Sequence, residues 1–596
     1  MSDPYADDLP QTRFQLRFLT RLWPFVRPYR TGFAACLLLL AASFALELLG
    51  PLVMRLAIDG PMRATGAPPA ERLTALWWYG AAFLAVTLGG ALLGYTYGLL
   101  TAWNGGRVVR DVRRHLYSHL LATGLAFHER NPAGKLTTRV TSDVENLNEL
   151  IATGVLQSVF DLLKIAGVAA VLFFLDFDLA LFAALSLPVL VVLSVLFRRK
   201  ATAAYRAVRS RLALQNAFAT EMIGGVRTTR AYGCEDAIAR KYAERNAATN
   251  AAWRDTVLHF SVFFSLVDFA LRATTVGLLW FGGGAVLDGN LQPGQFVQFW
   301  LYFTLLSQPV RELGEKYNVL QAAFASCERI FQLLDEPRFP PTVDAPARPS
   351  PRCGAARIEF EEVAFAYGDG PDVLDGISFV AEAGTTVAIV GPTGAGKTTL
   401  LTLVSRLREV SAGRVLIDGV DVRSLDPSQL RRRVAFVAQD LFLFHGTVLD
   451  NVRLFDPHVT EERVWRALET VGAATFVRAL PDGLHAQVAE RGATFSQGER
   501  QLLAFARALV ADPDVLVLDE ATASIDSESE ARLQRALTTA LRGRTALVVA
   551  HRLSTVRDAD QILVLQGGRI VERGRHEELV AIDGHYAAMT RHATAG

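Results

Sequence analysis

The chain has 596 residues, a net charge of +1, 51% hydrophobic residues and a mean hydropathy of +0.23. This length is too great for a single hydrophobic core, so two or more domains are expected. The near-zero charge excludes a bulk nucleic-acid-binding protein. The hydropathy is high for a soluble protein and low for a wholly embedded one, which predicts one membrane part and one soluble part. Four scattered cysteines without a C-x-x-C pair indicate neither a disulfide framework nor a zinc site.

The N-terminal segment, residues 1–32, is rich in arginine and precedes a long apolar run. A cleaved signal peptide would have a shorter apolar stretch and a cleavage site. We therefore expect a retained helix with a cytosolic N-terminus.

Six apolar segments are each long enough to cross a hydrocarbon core, which needs about 20 helical residues. The third and fourth are separated by little more than Asp176–Asp178, so they should form a hairpin. The predicted spans are 33–58, 76–103, 154–175, 178–197, 261–287 and 295–318.

Positive residues cluster between the second and third spans and again after the fourth, within 107–139 and 198–211. The loops after the first, third and fifth spans are poor in Lys and Arg. Because positive loops stay on the cytoplasmic side, both termini are predicted to be cytosolic.

The two cytosolic connections, 104–153 and 198–260, contain few helix breakers apart from Asn131–Gly134. We expect the membrane helices to continue into the cytosol and to turn there in short cross-pieces. Two folded cytosolic insertions are the alternative.

Four ionisable residues lie within the spans: Glu47, Arg55, Asp268 and Arg272. Charge at membrane depth is costly and usually faces a bundle interior or a wet cavity. Glu47, Asp268 and Arg272 are therefore candidate substrate contacts. Structural pairing, for example of Arg55 with Asp59, is the competing interpretation.

A Pro-rich linker from Asp335 is followed by alternating strand and helix patterns. The run "TTVAIV" predicts a strand that leads into "GPTGAGKTTLL", which fits the phosphate-binding pattern G-x-x-x-x-G-K-[ST]. Glycines let the backbone N–H groups face phosphate oxygens, Lys397 can reach the β and γ phosphates, and Thr398 can ligate Mg²⁺. The nucleotide-binding residues predicted in this loop are Gly391, Pro392, Thr393, Gly394, Ala395, Gly396, Lys397, Thr398 and Thr399.

A second apolar strand, "DVLVLDE", ends in two carboxylates. Asp519 can hold Mg²⁺ through water, and Glu520 can orient or deprotonate the attacking water. Such a strand end is weak evidence alone, but it is strong evidence beside the phosphate-binding loop.

Apolar residues recur at helical spacing between Leu502 and Val510, and this pattern is entered through Ser496-Gln497-Gly498-Glu499, with Glu499 three residues after Ser496. This arrangement predicts a capping box, in which each residue satisfies the backbone N–H of the other.

With these motifs the chain resembles the ATP-binding-cassette (ABC) exporters, as a half-transporter with six membrane helices fused to one nucleotide-binding domain. The resemblance covers about 570 residues. It implies an all-α transmembrane domain with long cytosolic extensions, followed by an α/β P-loop NTPase domain, in the cell inner membrane. The expected division is a cytosolic segment 1–32, a membrane domain 33–332, a linker 333–356 and an ATPase domain 357–596.

The resemblance also implies roles for single residues, with ATP and Mg²⁺ as cofactors. Tyr367 matches the aromatic residue that stacks on adenine, and Gln439 matches the glutamine that senses Mg²⁺. His551 matches the switch histidine that contacts the γ-phosphate, beside Lys397 and Glu520 as catalytic residues. The segment Glu490–Gly492 resembles the loop before the signature, and Ser524–Asp526 the loop that communicates across the dimer.

In this family ATP lies between two domains, one of which supplies a "Leu-Ser-Gly-Gly-Gln" signature. Here that motif reads Phe495-Ser496-Gln497-Gly498-Glu499, so Ser496 and Gly498 are retained as nucleotide contacts while two positions differ. The hydrolytic residues are intact, and only the motif offered to the opposite site is altered. This resembles the catalytic-glutamate-bearing subunit of heterodimeric bacterial multidrug exporters and implies a second half-transporter as partner.

Other readings remain open on the sequence. A homodimeric lipid or drug exporter with a tolerated signature variant is the first. A peptide-processing exporter would need an N-terminal protease domain, which we do not expect from the short segment before the first span. An ATP-gated channel or regulatory subunit is disfavoured by intact Glu520 and His551. The substrate, an amphipathic drug, lipid or peptide, is not specified.

Overall fold

The computed structural model describes residues 17–64, 66, 68–151, 156–339, 354–368, 370–519, 527–549 and 556–595. The chain divides into two compact units. The first comprises Met1–Tyr117 and Thr137–Leu333, and the second comprises Ser118–Leu136 and Leu334–Gly596.

The regular elements in the described part of the first unit are all helices. A short helix, α1, precedes the first long apolar helix, α2. The helices are α1 (Arg17–Val26), α2 (Arg30–Ala57), α3 (Pro69–Leu121), α4 (Leu125–Arg130), α5 (Ala133–Thr138), α6 (Val144–Glu149), α7 (Leu156–Leu175), α8 (Phe177–Ala184), α9 (Ser186–Gly224), α10 (Val226–Ala231), α11 (Glu235–Leu287) and α12 (Pro293–Leu334), of which α4 and most of α5 belong to the second unit.

The hairpin predicted at Asp176 is confirmed. Helix α7 ends at Leu175, and the Asp176 carboxylate accepts a hydrogen bond from the Leu179 N–H at 2.9 Å, which caps α8. The fourth predicted span is not one continuous helix, however, because α8 ends at Ala184 and α9 begins at Ser186. Pro188 explains the break, since proline has no N–H to donate to the Ala184 carbonyl and its ring clashes with it.

Four helical stretches within the described ranges are long and apolar enough to cross a membrane: Thr20–Met62, Pro69–Leu121, Gln157–Leu175 and Glu235–Leu287. They contain the first, second and fifth predicted spans and the third from Gln157 onward. The fourth and sixth predicted spans lie in α8–α9 and α12, which are also helical. Helices α3, α9 and α11 run far beyond the predicted spans. The short helices α4, α5 and α6 follow α3, and the short helix α10 lies between α9 and α11. This arrangement agrees with continued helices and cross-pieces rather than folded insertions.

The second unit is built on two larger sheets and a small two-stranded one. The strands are β1 (Ile358–Ala366), β2 (Asp372–Ala381), β3 (Thr386–Val390), β4 (Ala412–Ile417), β5 (Val420–Asp421), β6 (Val434–Val437), β7 (Gly446–Thr447), β8 (Gln487–Val488), β9 (Val515–Asp519), β10 (Thr545–Val549), β11 (Gln561–Gln566) and β12 (Arg569–Gly574). The order of the strands is β2-β1-β4-β5 in the first sheet, β12-β11-β3-β10-β9-β6 in the second and β7-β8 in the third.

Helices cover the six-stranded sheet, whose central strands are buried on both faces. Strands β3, β9 and β10 contain almost only Val, Leu, Ile and Ala, as expected for parallel strands between helical layers. The helices of this part are α13 (Lys397–Val404), α14 (Pro427–Arg433), α15 (Val448–Arg453), α16 (Glu461–Thr470), α17 (Ala474–Ala479), α18 (Gln497–Leu509), α19 (Ser527–Leu541), α20 (His576–Ile582) and α21 (His585–Ala595).

The parallel pairing places the functional strand ends at one edge of this sheet. Strand β10 lies between β3 and β9, and β6 pairs with the other side of β9. Because parallel strands have their carboxyl ends on the same side, the last residues of β3, β6, β9 and β10 lie at this one edge.

Candidate nucleotide site and charges of the helical unit

The loop between β3 and α13 has the strand-before, helix-after context that the sequence predicted. Gly391 has φ +156°, and a Cβ there would lie 2.2 Å from the Leu565 carbonyl oxygen. Gly396 has φ +95°, and a Cβ there would lie 2.7 Å from a Leu374 methyl carbon. Only glycine fits these two positions, so the loop can wrap tightly before α13 begins.

Lys397, the first residue of α13, folds back over the loop. Its amine donates to the carbonyl oxygens of Gly391 at 2.7 Å and Pro392 at 2.9 Å. Burial lowers the pKa of this amine below its usual range, and the negative charge of Asp519 opposes part of that shift. The lysine charge is therefore held at the loop that would receive phosphates.

The rest of the loop is divided between surface and core. Thr398 is exposed at the first turn of α13, together with Pro392, Thr393 and Gly394, whereas Ala395 and Thr399 are buried. Thr398 is therefore the threonine of this loop that is open to solvent, whereas the Thr399 side chain is buried.

Asp519 ends β9 as predicted, and it is 5% exposed. Gln439 follows β6 by two residues and is exposed. Both therefore lie at the sheet edge that the phosphate-binding loop occupies. Glu520, Ser524–Asp526 and His551 fall outside the described residues. Among the described residues, Asp519 pairs with Val549 across β9 and β10.

Tyr367 follows directly after β1, and its side chain is 45% exposed. Its hydroxyl lies 2.8 Å from the Thr399 hydroxyl on α13, so the ring is tied to the helix of the phosphate-binding loop. The remaining open surface of the ring is available for stacking with a planar group.

The capping box predicted at α18 is confirmed. The Ser496 N–H donates to a Glu499 carboxylate oxygen at 2.9 Å, and the Glu499 N–H donates to the Ser496 hydroxyl oxygen at 3.3 Å. The Ser496 hydroxyl also lies 2.9 Å from the same carboxylate oxygen. Gly498 is buried and Gln497 is exposed. A carboxylate thus occupies the N-terminus of α18.

Comparison with known proteins agrees with both units. Residues 33–310 match the family "ABC transporter transmembrane region", and residues 374–523 match the family "ABC transporter". The probable multidrug resistance ABC transporter ATP-binding/permease protein YheH of Bacillus subtilis is 38% identical over 85% of this chain and 76% of its own. The chain belongs to the ABC transporter family.

Two further similarities identify the branch. An ATP-dependent lipid A-core flippase of Desulfotalea psychrophila is 33% identical over 85% of this chain and 88% of its own. The structure of a bacterial Atm1-family ABC exporter with ATP bound superposes with a TM-score of 0.81 and 27% identity, covering 95% of this chain and 99% of that one. The protein is thus a multi-pass membrane half-transporter of the multidrug and lipid exporter type, and it couples ATP hydrolysis to transport.

The ATPase domain of this family binds ATP with Mg²⁺. The described residues fit that ligand, because the glycine-shaped loop leaves room for phosphate oxygens and presents the Lys397 amine to them. Thr398 and Asp519 are the groups that would hold the metal, which neutralises charge on the phosphates when bound.

The three predicted substrate contacts of the helical unit, Glu47, Asp268 and Arg272, take part in two separate ion pairs. Glu47 of α2 pairs with Lys164 of α7, whereas Asp268 pairs with Arg272 one turn along α11 at 2.6 Å. The structure therefore does not bring the three predicted substrate contacts together. Arg55 lies 3.6 Å from Asp59, as the structural alternative predicted.

Sequence reasoning missed three charged residues of the helical unit: Asp161, Lys164 and Lys316. Lys316 of α12 pairs with the buried Asp161 of α7, one turn before Lys164. The available signal was the spacing of Asp161 and Lys164 inside an otherwise apolar span, since two charges three residues apart share one helix face.

Proposed function

We propose that this protein exports amphipathic compounds (a drug, lipid or peptide) across the cytoplasmic membrane by alternating access, as one half of a heterodimer. One ATP site of the pair is then consensus and the other degenerate. Both termini lie in the cytosol, because the positive loops flank the apolar helices on that side.

The observation that carries the heterodimer is the contact of Ser496 with Glu499. In a consensus signature, the serine and the free helix N-terminus face the γ-phosphate of the ATP held by the partner. Here the Glu499 carboxylate already accepts the Ser496 N–H, and Gln497 adds a side chain where a glycine would admit phosphate. At about 5 Å and an effective dielectric constant of about 20, a carboxylate and a second unit negative charge repel by about 3 kcal/mol.

The other half of the nucleotide machinery is intact. Lys397 and Thr398 take the phosphate and Mg²⁺ contacts, with Asp519 and Gln439 at the adjoining strand ends. Glu520 acts as the group that orients the attacking water, and His551 contacts the γ-phosphate. A homodimer would carry the altered signature in both sites, whereas a heterodimer confines it to one.

The named relatives support the substrate class, because one is called a multidrug resistance transporter and another a lipid A-core flippase. Both kinds of cargo have an apolar body and a polar head. We infer that this exporter moves an amphiphile of that kind from the inner side of the membrane outward.

The test compares the chain purified alone with the chain co-expressed with the half-transporter encoded beside it. Alone, it should show little ATPase activity. In the complex, one site should turn over rapidly and the other should retain ATP for long periods. The restoring double variant Gln497→Gly with Glu499→Gln should barely raise turnover, because the degenerate site would also lack a catalytic carboxylate on the partner.

A monodisperse homodimer with full substrate-stimulated ATPase activity would overturn the proposal of a heterodimer. The proposal that the protein is an exporter would remain. Uptake of a fluorescent amphiphile into inverted vesicles tests export itself. Passive ion conductance without uptake would instead support the channel alternative.

A further inference from the structure

The short helix α4 (Leu125–Arg130) is fixed to the chain segment that leads into the ATPase sheets. The Phe339 N–H donates to the Ala122 carbonyl at 2.8 Å, and Thr123 forms a β-bridge with Arg338. At the other end of α4, Arg130 lies 3.8 Å from the Glu336 carboxylate. Helix α4 is therefore held at both ends within the second unit, although more than 200 residues separate the two segments.

Arg408 connects this helix with the nucleotide side of the unit. Its guanidinium donates to both carboxylate oxygens of Glu129 on α4. The same guanidinium carbon lies 4.5 Å from the centre of the Tyr367 ring. The Arg408 side chain is 9% exposed, so its guanidinium lies mostly out of water, whereas the Glu129 side chain that it meets is 49% exposed.

Tyr367 continues the connection to the phosphate-binding loop through its 2.8 Å contact with Thr399. Phe365 meets the ring at 87° with the ring centres 5.0 Å apart. The ring is thus fixed at its hydroxyl, at Phe365 and under Arg408, while 45% of the residue stays exposed.

We propose that Arg408 is a positioning residue for the adenine base, which holds the Tyr367 ring from one side and ties it to Glu129 on α4. This rests on the proposed stacking role of Tyr367. A base that stacks on the open face then shares one rigid assembly with α4, so base binding and the position of α4 are linked.

Base selectivity provides a readout that a purely structural role would not change. UTP carries the same phosphates as ATP but a single-ring base, which stacks less strongly. We would measure the dissociation constants of both nucleotides by calorimetry on the full chain, purified in nanodiscs. Arg408→Gln should weaken ATP binding about five-fold, the range of one shielded cation–π contact, with a smaller effect on UTP.

Further variants separate the two contacts of Arg408. Arg408→Lys keeps the charge and should restore part of the ATP preference. Glu129 does not contact the Tyr367 ring. Glu129→Gln should nevertheless reduce the preference for ATP over UTP about two-fold, because the Arg408 guanidinium loses the carboxylate that holds it over the ring. Arg414→Gln removes the exposed ion pair with Glu361 on neighbouring strands and should change neither nucleotide.

Tyr367→Ala shows whether a negative result concerns the stacking role of Tyr367 or only the positioning role of Arg408. If it leaves the ratio of UTP to ATP dissociation constants unchanged, the stacking role itself is wrong. If it lowers that ratio while Arg408→Gln, Arg408→Lys and Glu129→Gln all match wild type, the positioning role of Arg408 is overturned and stacking stands. Equal weakening of ATP and UTP by Arg408→Gln would also overturn it, since that pattern indicates a general structural loss.

Discussion

Glu499 caps its own helix by accepting the backbone N–H of Ser496 at 2.9 Å. The carboxylate therefore takes the position at the start of α18 that favours an anion, because helix N-termini carry partial positive charge. A contact between residues three apart thus decides whether this surface is open to a phosphate of another chain.

The capping box should contribute to stability independently of nucleotide. Ser496→Ala should lower the free energy of unfolding by about 1 kcal/mol, because the Glu499 N–H in the first turn of α18 loses the Ser496 hydroxyl as its acceptor. Thermal unfolding without nucleotide measures this. Thr460→Ala is the matched control, since Thr460 caps α16 in the same way by accepting from the Arg463 N–H. We expect the two variants to lose similar melting temperature without nucleotide. Only Ser496→Ala should also change the stabilisation that added nucleotide gives.

Glu520→Gln should keep ATP binding and abolish most hydrolysis, because it removes the water-orienting carboxylate while preserving the shape. Lys397→Ala should instead weaken nucleotide binding, since it removes the amine held over Gly391 and Pro392. Binding and phosphate release, measured on the same complexes, separate the two effects. Near wild-type hydrolysis by Glu520→Gln would show that another group orients the water.

Neutralising Glu47 should change transport more than folding. Glu47→Gln leaves the Lys164 amine without this carboxylate in the apolar part of the helical unit, where charge is costly and commonly faces the transport pathway. Uptake of cationic, neutral and anionic amphiphiles into vesicles measures the profile.

Asp268→Asn is the matched comparison for Glu47→Gln. Asp268 pairs along its own helix with Arg272, and both side chains are exposed. A substrate role predicts a changed profile for it as well. Lower expression and melting temperature with an unchanged profile would favour a structural role for either carboxylate.

Arg433 should be among the most sensitive residues for folding of the ATPase part. It is buried and donates to Asp514 and Asp418, each at 2.6 Å. Arg433→Ala leaves Asp514 as a buried charge without this partner and should cost about 3–5 kcal/mol. Arg433→Met with Asp514→Leu should be milder, because both charges are removed together. The exposed pair of Arg591 and Asp583 is the control, and Arg591→Ala should change melting little.

Asp143 should make stability depend on acidity. Burial alone would raise the pKa of Asp143, but hydrogen bonds from Arg329 and Arg139 outweigh it and hold the pKa below its usual range. A carboxyl with a lowered folded-state pKa contributes its full stability above the unfolded value of about 3.9 and loses it as the pH falls further. The melting temperature of the wild type should therefore fall below about pH 4. Asp143→Asn should lower the melting temperature at neutral pH and should make it fall less as the pH drops below about 4. If the variant loses melting temperature at low pH as steeply as the wild type, Asp143 is not the cause of the acid dependence.

Local patterns in the sequence sufficed for most elements. The strand before Gly391, the strand that ends in Asp519 and the box of Ser496 with Glu499 depend on neighbours within a few residues, so their spacing predicted them. The same holds for the hairpin at Asp176. The break between α8 and α9 within the fourth predicted span was not predicted, because hydropathy carries no information on the missing N–H of Pro188.

The sequence by itself determined the family, the phosphate-binding loop and the altered signature, because each of them is recognised from short motifs of consecutive residues. Only the tertiary structure decided the partners of charged side chains. Glu47 meets Lys164, and Arg408 meets both Glu129 and Tyr367, across separations that no local period encodes. A charge in a sequence can pair with any opposite charge that folding brings within about 4 Å, and packing of distant helices and strands makes that choice.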